Sequence, residues 1–398
     1  MNSPDVMDTT DASRVEALHA LHVLDTPREE RYDRVVRLAQ EIFGVKAAAV
    51  NLLDADRQWT KAEVGLDGAG NCDRAESFCT YTIQRPEALV IEDATVEPRF
   101  AANPFVVGDP HIRFYAGHPL RAPGGERVGT LCLTDPAPRE LDARERRILA
   151  EMAGWVEREL AAQHEIDRAG QIQQALMPAT APRLPGYQLA ARCTPARDLG
   201  GDFYDWYLLG EDLQLHVADV MGKGIPAALV AASVRAVLHG ASRYNDPQET
   251  INRVGAAAEK MLADTATFVT VLSARLHPAT GAVTYVDAGH GLAVIFDPHG
   301  EHRRLLSSGP PLGAVSGTTW DAHSETLAPG ETLLVVSDGF LDYFPDIPTA
   351  VAKAGEVART SATAQELVAR LTAYALAHGL EDDATALALR RCNPVHRD

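Results

Sequence analysis

Four aspartates stand where a chain can assemble metal-assisted chemistry. Asp202 closes the turn Gly200-Gly201-Asp202, with Phe203-Tyr204-Asp205 behind it. Asp219 ends an apolar alternation over 213–220, and Gly222-Lys223-Gly224 and a helix start at Pro226 come next. Asp338 follows Leu333-Leu334-Val335-Val336-Ser337 and precedes Gly339, while Asp382 lies in Glu381-Asp382-Asp383-Ala384-Thr385. A carboxylate at the end of a buried strand loses its hydration and needs a counter-charge. Several of them brought together have a reason to coexist only around hard cations, and an all-oxygen ligand set suits Mg or Mn. Asp205, Asp342 and Asp383 lie in or beside the same stretches. Gly222-Lys223-Gly224 is not a nucleotide loop, because it lacks the spaced upstream glycine and the Ser or Thr after lysine.

The elements that must position these acids sit in a chain of 398 residues, long enough for two or three domains with full cores. With 55 acidic against 37 basic residues the formal charge is −18, which argues against nucleic acid as a partner. The five cysteines, Cys72, Cys79, Cys132, Cys193 and Cys392, follow no CxxC or ladder spacing and read as reduced thiols. The N-terminal stretch has neither a basic nor an apolar leader region, and no apolar run approaches a membrane span. The expectation is a soluble cytoplasmic chain with no membrane partner.

Over the first part, helices are expected at 11–21 and 28–43, the second ended by Gly44. Strands are expected at 47–53, 58–65, 88–91, 114–120 and 127–133, the last two joined by Ala122-Pro123-Gly124-Gly125. Helices, antiparallel strands and a closing helix suggest an α+β sandwich with one sheet. Six phrases carry a resemblance: Asp56-Arg57-Gln58-Trp59, Ser77-Phe78-Cys79, Asp93-Ala94, Arg99 to Pro104, Arg113 to Gly117, and Gly129-Thr130-Leu131-Cys132. In that order they resemble the bacterial GAF domains that precede signalling outputs. The resemblance implies a sensory domain over 11–160, with a small-molecule ligand of unidentified chemistry. Cys79 and Cys132 read as redox sensors, chromophore anchors or small buried residues; Arg113 and Tyr115 read as ligand contacts or as packing at the sheet edge.

Residues 140–177 form one proline-free helical pattern, apolar at Ile148, Leu149, Met152, Trp155, Val156 and Leu160, then at Ile166, Ala169, Ile172 and Leu176. This suits a linker helix that overlaps the end of the sensory domain and pairs with a second copy as a short coiled coil, giving a homodimer. The alternative is that each half caps its own domain. Pro178, Pro182 and Pro185 mark the boundary.

From 178 to 392, strands at 187–193, 204–209, 214–219, 267–276, 283–287, 293–296, 332–336 and 384–389 alternate with two pairs of helices. Those at 227–239, 247–262 and 364–378 are legible. Two facing sheets with helices outside would place strand-end carboxylates on one rim. The phrases Gln171 to Pro178, Gly200 to Asp205, Asp219 to Gly224, Phe268-Val269-Thr270, Asp287-Ala288-Gly289-His290, Ser337-Asp338-Gly339 and Asp382 to Thr385 resemble PPM-type metal-dependent phosphatases, in their SpoIIE/RsbU-like branch. The fold implied is α+β: an N-terminal GAF sandwich, a long connecting helix, and a C-terminal α-β-β-α phosphatase domain.

The resemblance also assigns roles. Asp202 and Asp219 are the catalytic acids; Asp219 bridges two Mn or Mg ions, the Val220 carbonyl and Asp202 serve one, and Asp338 and Asp382 serve the other. Two ions roughly 3.5–4 Å apart lower the pKa of a water and shield an anionic phosphate monoester. Arg197 is a candidate grip on the substrate phosphate, and Asp205 and Asp383 support the site. Met221 stands where eukaryotic members of the wider family carry a histidine proposed as general acid. Without such an acid, water must protonate the leaving oxygen, which implies a slow enzyme. His290 is a candidate replacement, or else closes a hairpin. The stretch after Gly339 also lacks the usual Thr-Glu-Ala. The activity implied is a GAF-regulated protein serine/threonine phosphatase acting on a phosphorylated STAS-type anti-sigma antagonist. The alternative is a pseudo-phosphatase that binds a partner under GAF control.

Overall fold

The structure is a computed structural model of the chain, and it describes residues 9–66 and 70–393. The stretch 1–8, read above for a leader, lies outside the described residues. The chain divides into two compact units, Met1–Ile166 and Asp167–Asp398.

The first unit begins with α1 (Thr9–Ala20) and α2 (Glu30–Phe43). Tyr32, Val35, Val36, Ala39 and Phe43 recur at helical spacing and bury one face of α2, and Gly44 stops it in a left-handed turn at φ 58°. Then come β1 (Ala47–Leu53), β2 (Arg57–Val64), β3 (Cys72–Asp73), α3 (Phe78–Thr82), β4 (Leu89–Ile91), α4 (Pro104–Val107), β5 (Phe114–Arg121) and β6 (Arg127–Asp135). They build a six-stranded antiparallel sheet of order β3-β2-β1-β6-β5-β4. Its central strand β1 is buried throughout, so its two residue sets serve two cores. Ala48, Val50 and Leu52 pack with Tyr32, Val36 and Leu149 on one face. Ala49 and Leu53 pack with Phe78, Phe100, Tyr115, Cys79 and Cys132 on the other. The one-turn helices α3 and α4 escape a periodicity reading because they are too short to show one. Their signal is the cap: Ser77 accepts from the N–H of Cys79, and Asn103 from that of Phe105.

Helix α5 (Ala143–Leu176) is continuous across the division between the units.

The second unit contains β7 (Tyr187–Thr194), β8 (Phe203–Leu209), β9 (Asp212–Val220), α6 (Ile225–Ser242), α7 (Pro247–Asp264), β10 (Val269–His277), β11 (Ala282–Ala288) and β12 (Ala293–Phe296). It continues through β13 (His302–Arg304), β14 (His323–Thr326), β15 (Thr332–Val336), α8 (Ile347–Thr360), α9 (Ala364–His378) and β16 (Ala384–Arg391). Two five-stranded sheets result, β14-β11-β10-β9-β8 and β13-β12-β15-β16-β7. Leu215, Val217, Leu272, Leu333, Val335 and Leu387 fill the space between them. Helices α6 and α7 cover the first sheet through Ala231, Val234, Leu238 and Val254; α8 and α9 cover the second through Val357, Leu367 and Leu371. Helix α8, capped by Asp346, completes the second helical pair. Against the expectation that no apolar run approaches a membrane span, α6 among the described residues is long and apolar enough by length and composition, because the face it packs on the first sheet is apolar at Ala227, Val230, Val234 and Leu238.

Another expectation is corrected. Asp287-Ala288-Gly289-His290 does not close a hairpin, because β11 belongs to the first sheet and β12 to the second. The phrase is the crossover between sheets. Its turn is set by Asp287, whose carboxylate accepts from the N–H of Gly291 at 2.9 Å. Gly289 holds φ 75°, and a Cβ there would meet Pro311 at 2.5 Å.

His216 of β9 is fully buried, with Nε2 3.3 Å from the Tyr207 hydroxyl. Burial, then the charges of His239, Arg275 and Arg235, bring its pKa from 6.5 down to about 3. The folded value lies below the unfolded one, so its contribution is present above 6.5 and is lost as pH falls toward 3. The midpoint of urea unfolding should therefore fall between about pH 7 and about pH 5 in the wild type, and fall less in His216→Leu. Equal pH slopes in the two proteins would refute this assignment.

Candidate cation site

Each sheet contributes one pair of acids, and strand register explains both. In the first sheet Phe203 lies opposite Ala218, so Asp202, one residue back, comes alongside Asp219. In the second sheet Val336 lies opposite Ala386, and Ser337 and Thr385 exchange further bonds: Ser337 N–H to the Thr385 carbonyl at 3.0 Å, and Thr385 N–H to Ser337 Oγ at 2.8 Å. Asp338 leaves β15 at the end where Asp382 and Asp383 enter β16.

Glycine contacts close the two pairs on each other. A Cβ on Gly200 would fall 2.6 Å from the Asp383 carboxylate, and one on Gly201 2.6 Å from the Val220 carbonyl. A Cβ on Gly339 would overlap the Asp383 carbonyl at 2.2 Å. Only residues without side chains permit this approach of backbone to backbone. Asp383 fastens it, with Oδ1 accepting from Ala196 N–H at 2.8 Å and Oδ2 from Gly201 N–H at 2.6 Å. From α5, Gln173 grips the same loop: its Nε2 donates to the Gly200 carbonyl at 2.6 Å and its Oε1 accepts from the Gly200 N–H at 3.2 Å.

The electrostatics of the group are costly. Asp202 is 2 % exposed; neither carboxylate oxygen has a close partner, and the Ser337 and Thr385 hydroxyls stand near enough to lower its pKa against burial. Burial, then Asp219, pushes its pKa well above the carboxylate range. Burial, then Asp338, pushes Asp219 up to about 7. Asp338 is raised by burial and then by Asp382. Buried carboxylates that raise one another's pKa, with only Asp382 paired to a lysine, form a hard oxygen donor set that a divalent cation of the Mg or Mn type fits. Among the described residues no three His, Cys, Asp or Glu groups enclose a single point tightly enough to hold an ion unaided.

The other expected residues divide. Asp382 is ion-paired with Lys223, Nζ to Oδ2 at 3.0 Å, and Lys223 also donates to the Glu381 carbonyl. Asp205 faces away from the acids: its Oδ2 meets His239 Nδ1 at 2.8 Å and Arg235 at 3.2 Å on α6. Asp342 is exposed, raised by burial and then by Asp382. Arg197 is exposed on the loop before Asp202. His290 is 6 % exposed, with Nδ1 3.1 Å from the hydroxyl of Thr270, which lies opposite Asp219. Burial lowers its pKa to about 4, so it is neutral near pH 7 and unsuited to donate a proton. Sequence reasoning missed Gln173, Ser337 and Lys223. All three lie inside or beside the matched phrases, but nothing in their spacing shows what they touch.

Comparison with known proteins matches two separate parts of the chain. Residues 27–160 match the GAF domain family, and residues 210–392 match the family of Stage II sporulation protein E. A cyclic di-GMP phosphodiesterase of Pseudomonas aeruginosa is 39% identical over 32% of this chain and 22% of its own length. Protein IcfG of Synechocystis is 31% identical over 45% of this chain and 32% of its own length. Phosphoserine phosphatase RsbU of Bacillus subtilis is 25% identical over 57% of this chain and 70% of its own length. The chain thus spans less than a third of the first two relatives.

If the acids hold a cation, Mn or Mg should raise the unfolding temperature of the wild type but not of Asp219→Asn. The stabilisation should approach about 2.7 kcal/mol at a hundredfold excess over Kd. Equal shifts in both proteins, read by scanning calorimetry, would remove Asp219 from the site.

Proposed function

We propose, for a chain that joins a GAF domain to a SpoIIE-type PP2C phosphatase domain, that the second unit is a Mn- or Mg-dependent protein serine/threonine phosphatase. The observation that supports this reading is the mutual charge coupling of Asp202, Asp219, Asp338 and Asp382, which with burial raises the first three. The RsbU relative, named a phosphoserine phosphatase, supports it. Asp202, Asp219 and the Val220 carbonyl would hold one ion, and Asp338 and Asp382 a second. When bound, such ions supply Lewis acidity toward phosphoryl oxygens and lower the pKa of the attacking water. The chain's own contribution is positional: Asp383 and Gln173 fix the loop 196–201, and Gly201 and Gly339 let the backbone close around the acids. Arg197, exposed on that loop, is the candidate contact for the phosphate of the substrate. The substrate proposed is a phosphorylated STAS-type protein, and the location cytoplasmic.

Regulation is proposed to run through α5. Its C-terminal end touches the acid-bearing loop through Gln173, and Gly170 lies so close that a Cβ would meet the Asp198 carbonyl at 2.5 Å. A change in the pitch or pairing of α5, driven by the GAF domain, would shift Gly200 and with it Asp202. Ile172 and Leu176 are 60 % and 43 % exposed, the apolar surface a homodimer through this helix would use. The second reading, an inert partner-binding module, is favoured by one observation: Lys223 already neutralises Asp382.

Mn-dependent hydrolysis of p-nitrophenyl phosphate or a phosphoserine protein should vanish in Asp219→Asn and persist in Asp205→Asn. No turnover by the wild type under any divalent metal would favour the second reading. In Gln173→Ala, loss of hydrogen bonds worth about 1 kcal/mol each should slow turnover roughly three- to tenfold. A rate equal to wild type would break the proposed link from α5.

A further inference from the structure

The first unit holds a second buried cluster, which the phosphatase reading does not use. Cys79 of α3 and Cys132 of β6 are 2 % and 4 % exposed on the sheet face away from α2. Three donors converge on the Cys79 sulfur: Thr130 Oγ1 at 3.0 Å, Asn51 Nδ2 at 3.4 Å and the Tyr115 hydroxyl at 3.5 Å. The same Asn51 nitrogen reaches Cys132 Sγ at 3.2 Å. Thr60 donates to Asn51 Oδ1 at 2.8 Å, which turns the amide NH₂ toward both sulfurs. A neutral thiol is a weak acceptor, so three donors aimed at one sulfur suit a thiolate. Burial alone would raise the pKa of Cys79, but Cys132, Thr130, Tyr115 and Asn51 outweigh it and bring it down to about 6. Cys132 is held well above the thiol range by its hydrogen bond to Cys79 and by burial. Cys72, on the same cavity, is pushed up to about 12 by burial and then by Cys79.

Both sulfurs line a cavity of ≈ 60 Å³, together with Asn51, Ser77 and Tyr115. That volume has room for a few water-sized molecules. Cofactor-sized ligands need roughly 300 Å³ or more. A poised sulfur and a neighbouring thiol on one small cavity suit a small oxidant.

We propose that this cavity is a hydroperoxide site in which Cys79 is the attacking sulfur and Cys132 the resolving one. The Cys79 thiolate attacks the distal peroxide oxygen; the O–O bond breaks, and the leaving alkoxide or hydroxide takes up a proton. Cys79 is then a sulfenic acid. Cys132 loses its proton and attacks the Cys79 sulfur; an S–S bond forms and the sulfenic oxygen leaves as water. In sum, two thiols and one hydroperoxide give a disulfide, an alcohol or water, and a further water. Asn51, which touches both sulfurs, keeps them within reach of each other throughout.

The test uses the full-length reduced protein, equimolar hydrogen peroxide, an acid quench and non-reducing peptide mapping, so it is independent of any phosphatase assay. The expected result is an intramolecular Cys79–Cys132 cross-link, with Cys79 consumed at least about tenfold faster than Cys72 or Cys193. Cys132→Ser should instead accumulate a Cys79 sulfenic acid that a cyclic 1,3-diketone traps. Thr130→Val, with an unchanged circular dichroism spectrum, should slow the first step about tenfold. Oxidation of Cys79 no faster than that of Cys193, or a Cys79 sulfenic acid persisting in the wild type without a cross-link, would overturn the proposal.

Discussion

The second unit is organised by the repulsion between acids that its two sheets bring to one rim. An ionised carboxylate taken out of water costs several kcal/mol even after relaxation, and Asp202 is buried with no close partner on either oxygen. The apolar layer between the sheets is what can bear such a cost. Leu213, Leu215, Val217, Leu272, Leu333, Val335 and Leu387 are buried there, each worth about 1.5–3 kcal/mol. The rim is therefore held by a core that would remain intact if the acids were removed. Loss of the core, by contrast, would release the acids.

The two buried polar clusters of this chain solve opposite problems. Cys79 is surrounded by three donors aimed at its sulfur, while burial and then Asp219 push Asp202 toward its neutral form. The first can carry its charge on protein groups alone. The second has no lysine or arginine close to it among the described residues, which is why its neighbourhood is proposed as a cation site. To the second, α5 contributes Gln173, whose two bonds to Gly200 fix the residue two places before Asp202.

Much of the fold and of the site was legible in the sequence where a local rule applied. The strand 47–53, the strand ends before Asp219 and Asp338, and the glycine turns beside the acids follow from alternation and turn chemistry. Asp205 shows where the rule failed. Phe203 packs against the α6 side of its sheet, and Asp205, two residues on, shares that face and meets Arg235 and His239. Those partners lie about thirty residues downstream, and no spacing rule connects them. Asp383 has the converse history: its neighbour Asp382 draws attention, yet Asp383 holds the loop of Asp202 through N–H groups nearly two hundred residues away. The donors to Cys79 were hidden in the same way, dispersed over β1, β5 and β6 and united only by the pleat of one sheet face.

Lys223 bears on the choice between an active and an inert rim. Its ammonium and the Asp382 carboxylate are 37 % and 36 % exposed, so their contact is a surface ion pair weakened by solvent screening. Asp202 and its neighbour Asp219 are buried, where the penalty for missing counter-charge is larger. A divalent ion entering the rim would relieve that burial penalty and give up only the weak surface pair. The lysine is thus a weak competitor for Asp382, and it favours the inert reading only slightly. What decides the matter energetically is the deeper pair, Asp202 and Asp219, for which the structure provides no cation of its own among the described residues.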